Sequence, residues 1–327
     1  FYPMGGRSWY VGFTSQETSN HMDPRKREHA VMSKDDGRTW QETDLVVDNP
    51  SYRSSPTRLV KVSGYSWRYD VPARRPFYEA QGLEVRDTPD NQIAYANGYF
   101  VSISNDNGAT WVDRDLDFPR QALMASYRDD RSFLRLDAKT ILRAVYGKPV
   151  ARLRYYEAWC LRSEDDGETW SFSTIGANLE EDVGHGETAI AQAANGDIVA
   201  MMRTEPITNA RMWVSRSSDR GKTWAPAQQT PLLGHPAHLL RLKDGRMLCS
   251  YGLREAPIGI RVCISNDDGR TWPEANIRVL RTGPNLKRDS GYPITLQAED
   301  GTMMTVYYLT EGDKTTLQLT RWQLPPK

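Results

Sequence analysis

Along the chain, apolar and polar residues alternate with a period of two in short runs, and the runs come in pairs joined by turn residues. In HLLRLKDGRMLCSYG the alternation stops at Asp244-Gly245 and resumes; AIAQAANGDIVAMMR does the same around Asn195-Gly196. A period of two sends successive side chains to opposite faces of a strand, and a Gly-containing dipeptide between two such runs marks a hairpin. TRLVKVSGYSW, FLRLDAKTILRAVY and ITLQAEDGTMMTVYY repeat the scheme. After a loop of variable length, each hairpin leads to a third strand such as IGIRVCI, which runs into an Asp-rich turn and a fourth strand. No segment keeps a period of 3.6 for more than about two turns, so little helix is expected.

The Asp-rich turn is an octapeptide that appears as SKDDGRTW from Ser33, SNDNGATW from Ser104, SEDDGETW from Ser163, SSDRGKTW from Ser217 and SNDDGRTW from Ser265. Recurrence at such spacings is the mark of a propeller or another repeat array. Five such units and a final hairpin, SGYPITLQAEDGTMMTVYYL followed by TTLQLTRWQL, predict an all-β, six-bladed β-propeller filling residues 1–327 as a single domain. Radial closure hides the sheet edges. Within the octapeptide, Asp is expected to accept from turn amides, Gly to take a positive φ, and Ser and Thr to tie the ends. Trp40, Trp111, Trp170, Trp224 and Trp272 then pack between neighbouring sheets. A calcium loop needs oxygen ligands at alternate positions and a distant Glu, which none of the five supplies. Five equivalent turns cannot converge on one pocket either, so the octapeptide is expected to be scaffold.

Composition narrows the partners. Lys plus Arg number 42 and Asp plus Glu number 42, so no net field favours nucleic acid or an anionic membrane. No apolar run is long enough for a membrane-spanning helix and no signal segment opens the chain, which begins at Phe1; the compartment stays open. Cys160, Cys249 and Cys263 lie in apolar strand-like runs and read as buried free thiols. Neither a cofactor nor a metal is expected.

The five octapeptides resemble the Asp boxes of the sialidase (neuraminidase) superfamily, and the resemblance spans essentially the whole chain. It implies a six-bladed propeller with the boxes on the rim away from the active site. In a propeller the pocket lies on the axis, where innermost strands begin and second strands end. The blades open with SYRSSP, SYRDDR, GHGETA, GHPAHL and DSGYPI, and two second strands end in MMRTE and SYGLRE. These stretches aim Arg53, Arg128, His185, Glu187, Arg203, His235, Arg254 and Tyr292 at one funnel. GETAIAQAANGDIVAMMR is similar to the sialidase stretch in which a Glu opens the fourth blade and an Arg closes the hairpin, which implies Glu187 and Arg203. SGYPITLQAEDGTMMTVYY resembles the segment holding the catalytic Tyr, here Tyr292. Arg254 and Arg261 compete for the third arginine of the sialidase triad, and Arg254 is preferred because Arg261 is only four residues before a box. In SQETSNHMDPRKREHAVMS, Asp23 matches the acid/base, with Glu17 second.

The resemblance implies a retaining exo-alpha-sialidase that releases terminal sialic acid from a glycan or glycoconjugate. Guanidinium groups of Arg53, Arg203 and Arg254 would hold the sugar carboxylate by charge-assisted bonds. That carboxylate would repel an anionic nucleophile, and a neutral Tyr292 whose proton passes to Glu187 avoids the repulsion. Asp23 would protonate the leaving oxygen and later activate water. Two features depart from the family. No Arg-Ile-Pro tripeptide occurs. With the first turn at Gly5-Gly6, its position falls upstream of Phe1, so the chain is expected to be clipped or the first blade to lack a full inner strand. His185, His235, His238 and Asp289 also enrich the axis, which suits a neutral or uronic sugar and keeps open a sialidase-like hydrolase or lyase for such a sugar. A non-catalytic propeller that binds a glycan or a protein is the third possibility.

Overall fold

The computed structural model describes residues 1–15, 27–64, 68–80, 83, 85–95, 99–116, 122–125, 130–149, 156–177, 183–205 and 211–326. Among these, the α-helix Arg75–Glu79 and a few 3-10 turns interrupt an otherwise all-β chain. The strands form antiparallel sheets that follow one another in sequence. The first contains Tyr2–Gly5, Ser8–Ser15, Arg27–Ser33 and Gln41–Glu42; the second Leu59–Gly64, Tyr99–Ser104 and Val112–Asp115. The third contains Ala122–Ala125, Phe133–Arg135, Ile141–Pro149, Glu157–Ser163 and Ser171–Gly176. The fourth runs Gly184–Gln192, Ile198–Glu205, Arg211–Ser217 and Gln228–Leu233, and the fifth Ala237–Arg241, Met247–Leu253, Gly259–Ser265 and Ile277–Thr282. The sixth holds Gly291–Gln297, Met303–Glu311 and Lys314–Trp322.

Apolar residues of adjacent sheets share cores. Val60, Val101 and Ile103 of the second sheet pack with Ile141, Val145 and Trp159 of the third. Val199, Met201 and Val214 of the fourth pack with Leu239, Met247 and Tyr251 of the fifth. Phe1, Trp9 and Val11 of the first meet Ala298, Met304 and Val306, so the first and sixth sheets also join.

The octapeptide turns carry the expected bonds. Asp35 Oδ1 accepts from the Thr39 amide at 2.9 Å and Oδ2 from the Thr39 hydroxyl at 2.6 Å, while Ser33 Oγ accepts from the Gly37 amide at 2.8 Å. The same three bonds recur around Asp106, Asp165, Asp219 and Asp267. Thr110, through hydroxyl and amide, and then the Ser104 hydroxyl hold the Asp106 carboxyl down at about 2. Two details exceed the expectation. The residue before each glycine is left-handed as well, with φ from 57° at Asp166 to 64° at Arg220; Asn and Asp tolerate this region, and four of the five residues are of these types. The glycine also presses on the preceding sheet: a Cβ at Gly167 would lie 2.6 Å from Val60 Cγ1, and one at Gly221 would lie 2.9 Å from Leu142 Cδ2. The turns at Gly37, Gly167, Gly221 and Gly269 therefore clasp their own sheets to the previous ones, whereas Gly108 meets only Trp111 and Leu59 of its own sheet.

The second sheet corrects one hairpin. Gly64 ends the strand Leu59–Gly64 and is not the turn; the chain reverses at residues 54–58, where the Ser54 amide donates to the Arg58 carbonyl and Arg53 bridges Leu59. Between this strand and Tyr99–Ser104 the chain also builds a small separate sheet of Arg68–Asp70, Val85–Asp87 and Ile93–Tyr95, held by Tyr78 stacked on Tyr95 at 3.8 Å. No hairpin signal in the sequence marked it. The three cysteines are free and buried, and Cys249 stands directly opposite Cys263.

Candidate active site

The first strands of the fourth, fifth and sixth sheets lie side by side, and Phe133–Arg135 of the third adjoins Gly184–Gln192. Their opening ends and the closing ends of the second strands share one face, because Gly184 pairs with Glu205 and Gly291 with Tyr308. Two of these openings break their ladders at the same place: the register shifts between His185 and Thr188, and again between Gly291 and Ile294. An irregularity of this kind at a strand end re-aims a side chain. Glu187 and Tyr292 sit inside the two shifts.

They meet there. Tyr292 Oη donates to Glu187 Oε1 at 2.5 Å, and Arg203 Nη1 donates to Glu187 Oε2 at 2.6 Å. Glu187 is 8% exposed and would be costly to bury without these partners. Burial works against the Arg203 charge, and the adjacent Glu187 carboxylate more than restores it, so the Arg203 pKa ends raised. Tyr292 has φ of +51°, a conformation an aromatic residue rarely adopts, after Gly291 at +138°.

Further groups surround the phenol. The guanidinium carbon of Arg254 lies 5.6 Å from the centre of the Tyr292 ring; its Nε donates to the Ser290 carbonyl at 3.2 Å and Nη2 to Tyr308 Oη at 3.3 Å. Tyr308 in turn donates to Asp289 Oδ1 at 2.6 Å and stacks on Tyr292 with ring centres 5.9 Å apart. Burial, and then the bond to Asp289, push the Tyr308 phenol upward. His235 is buried beside the group: burial, aided by the charges of Arg203, Arg254 and Arg288, lowers its pKa to about 3, so it is neutral.

The structure therefore gathers Glu187, Arg203, Arg254, His235 and Tyr292, and it leaves other expected residues elsewhere. Arg53 lies at the opposite end of its sheet, bonded to the Pro56 carbonyl and Asn107 Oδ1, each at 2.6 Å, because the reversal at residues 54–58 puts it at the octapeptide end. Arg261 points into the stack of the fourth and fifth sheets; it stands opposite Tyr251 and donates to the Pro257 carbonyl at 3.0 Å. His185 packs its ring 5.4 Å from Trp213, within the core between the third and fourth sheets. Asp23, Glu17 and Arg128 lie outside the described residues. Among the described residues, no group of three or more His, Cys, Asp or Glu could hold a metal ion, and no helix is long and apolar enough to cross a membrane.

Arg131 was not anticipated. Its guanidinium carbon lies 5.1 Å from the centre of the Tyr292 ring, and Nη2 donates to the Tyr292 carbonyl at 3.5 Å. It belongs to the same SYRDDR stretch that suggested Arg128. The third-sheet turn, closed by the Leu136 amide on the Thr140 carbonyl, contains no glycine to fix the count back to the strand opening.

The sequence profile of a family described as BNR repeat-like domain matches residues 85–305, more than half of the chain. The chain belongs to the BNR repeat-like domain family. Solved structures resemble this BNR repeat-like chain over nearly its full length. A protein of unknown function from Dyadobacter fermentans superposes with a TM-score of 0.72 at 24% identity, covering 96% of this chain and 91% of that one. The intramolecular trans-sialidase from Ruminococcus gnavus, solved with oseltamivir carboxylate, gives 0.60 at 11% identity, with 97% and 92% covered. Trypanosoma rangeli sialidase, solved with sialic acid, gives 0.52 at 17% identity; 90% of this chain matches 49% of that one, about half its length. At these identities the likeness establishes the fold, which is the all-β fold of the sialidases. No curated protein matches the chain.

Proposed function

We propose that this BNR repeat-like chain is a retaining exo-glycoside hydrolase, most simply an exo-alpha-sialidase, built as one six-bladed propeller with five Asp boxes. The bond between Tyr292 Oη and Glu187 Oε1 at 2.5 Å carries the proposal, since it joins a phenol to a base across two sheets on the axial face. In the first step Tyr292 Oη attacks the anomeric carbon while its proton passes to Glu187. The glycosidic bond breaks, and Asp23 protonates the leaving oxygen. In the second step Asp23 takes a proton from water, the water oxygen attacks the anomeric carbon, and Tyr292 leaves, recovering its proton from Glu187. Arg254 bonds only to a carbonyl and a phenol in its described contacts, which leaves its charge available to a sugar carboxylate. Arg203 adds a second positive group beside Glu187.

A second sugar class has its own support. Asp289 is held on this face by Tyr308, and a carboxylate there suits the hydroxyls of a neutral sugar better than an anion. The test is release of a fluorogenic aglycone from a panel of alpha-sialosides, uronides and neutral aryl glycosides. Turnover confined to sialosides is the expected result. Turnover confined to neutral sugars or uronides transfers the mechanism to that sugar, and no turnover with any member contradicts the hydrolase.

A further inference from the structure

Two arginines from different sheets grip the segment that carries Tyr292. Arg254, after Met247–Leu253 of the fifth sheet, donates to the Ser290 carbonyl at 3.2 Å, and Arg131, before Phe133–Arg135 of the third, donates to the Tyr292 carbonyl at 3.5 Å. Between these two carbonyls the backbone makes its turn, at φ +138° and then +51°. A left-handed aromatic residue is strained and persists only where its surroundings hold it. The same two guanidinium groups lie 5.1 and 5.6 Å from the centre of the Tyr292 ring, within the range at which a cation acts on an aromatic system.

Charge gives this arrangement a chemical use. When the phenol proton passes to Glu187, the negative charge of the pair moves from the carboxylate to Tyr292 Oη. Arg203, on the other oxygen of Glu187, favours the charge where it started, so the move needs positive charge beside the phenol. We propose that Arg131 is a positioning residue for Tyr292: it holds the left-handed backbone and, with Arg254, supplies the positive charge that lets the phenol ionise beside Glu187. The proposal rests on the role given above to the Tyr292–Glu187 pair. Among the described contacts, the charged and titratable groups facing Tyr292 are Glu187 and Arg203 from the fourth sheet, Arg131 from the third and Arg254 from the fifth. Tyr308 with Asp289 comes from the sixth. His235, beside Arg203 and Arg254, is neutral and adds no charge above about pH 4.

Ultraviolet difference titration of phenolate, wild type minus Tyr292→Phe, reads the ionisation of this phenol directly. At an effective dielectric of about 20, removing one cation about 5 Å away moves the midpoint up by roughly two pH units. Arg131→Met is expected to show that rise, and Arg131→Lys to recover at least half of it. Circular dichroism recorded at each pH confirms the fold, and if Arg131→Met does not fold, Arg131→Gln, which keeps a donor for the Tyr292 carbonyl, reads the same loss of charge. A midpoint within about 0.3 unit of wild type in a folded Met or Gln variant overturns the proposal, as does a Lys variant displaced as far as Met. The titration needs no substrate. An inactive protein with the expected rise contradicts the hydrolase and leaves the role of Arg131 standing; an active protein with an unmoved midpoint does the reverse.

Discussion

Tyr292→Phe is expected to lower kcat on whichever glycoside of the panel is cleaved by roughly 1,000-fold or more, with KM changed little. The substitution deletes one oxygen and keeps the ring, so the stack on Tyr308 and the contacts with Arg131 and Arg254 survive. Glu187 loses one donor and keeps Arg203, which limits the stability cost to about 1–3 kcal/mol. The companion change Glu187→Gln is less clean. It removes the carboxylate paired with Arg203, whose side chain is only 14% exposed, and so leaves an uncompensated buried charge. A Phe variant that retains activity within about tenfold of wild type contradicts a nucleophilic role for this tyrosine. Steady-state kinetics and thermal unfolding on both variants separate lost chemistry from lost fold.

Acidification is expected to unfold the protein well before turn carboxylates such as Asp106 and Asp219 are protonated. Burial lowers His185 to about 4 and His235 and His238 to about 3, with Arg203, Arg254 and Arg288 adding to the shift at His235 and Arg131 at His238. In the unfolded chain a histidine titrates near 6.5. Below that value the unfolded state binds protons that the folded state refuses, so stability falls as pH drops from about 6.5 toward 4 and is unaffected by these groups above 6.5. Each histidine contributes a slope of up to about 1.4 kcal/mol per pH unit, and three together about 4, against a total of about 5–15 kcal/mol for an ordinary domain. The turn carboxylates act later, because Asp106 and Asp219 are held at about 2, the first by Thr110 and the second by Thr223 and Ser217 against its burial. Urea midpoints measured from about pH 7 to 4.5 should decline steeply below 6. A midpoint that stays level to about pH 4.5 shows that these histidines take up protons without unfolding.

Much of this fold is written in local pattern. Hairpin turns at Asn195-Gly196 and Asp244-Gly245 stand where the alternation breaks, with Gly196 and Gly245 at φ +92° and +89°. Glu187 and Tyr292 each stand nine residues before a turn glycine, Gly196 and Gly301, and their roles, with that of Arg203, are implied by the sialidase-like stretches that hold them. The same ruler failed at Gly64, which looks like a turn glycine but ends a strand, and Arg53 was carried to the wrong end of its sheet with it. It had no glycine to count from in the third sheet, and so passed over Arg131. His185 shows another limit. It stands two residues from Glu187, and the register shift between His185 and Thr188, which spans Glu187, sends the two side chains to different surroundings. The bond from Tyr308 to Asp289, nineteen residues apart, depends on sheet register that no local pattern reports.

The central claim, that Tyr292 forms a covalent bond to the sugar, is tested most directly by trapping. An activated donor of the cleaved sugar, fluorinated next to the anomeric carbon, slows release of a glycosyl-enzyme. Mass spectrometry of the digested protein should then find the added sugar mass on the peptide containing Tyr292, and not in Tyr292→Phe. Label on another residue, or no label while the protein turns over the parent glycoside, contradicts the account.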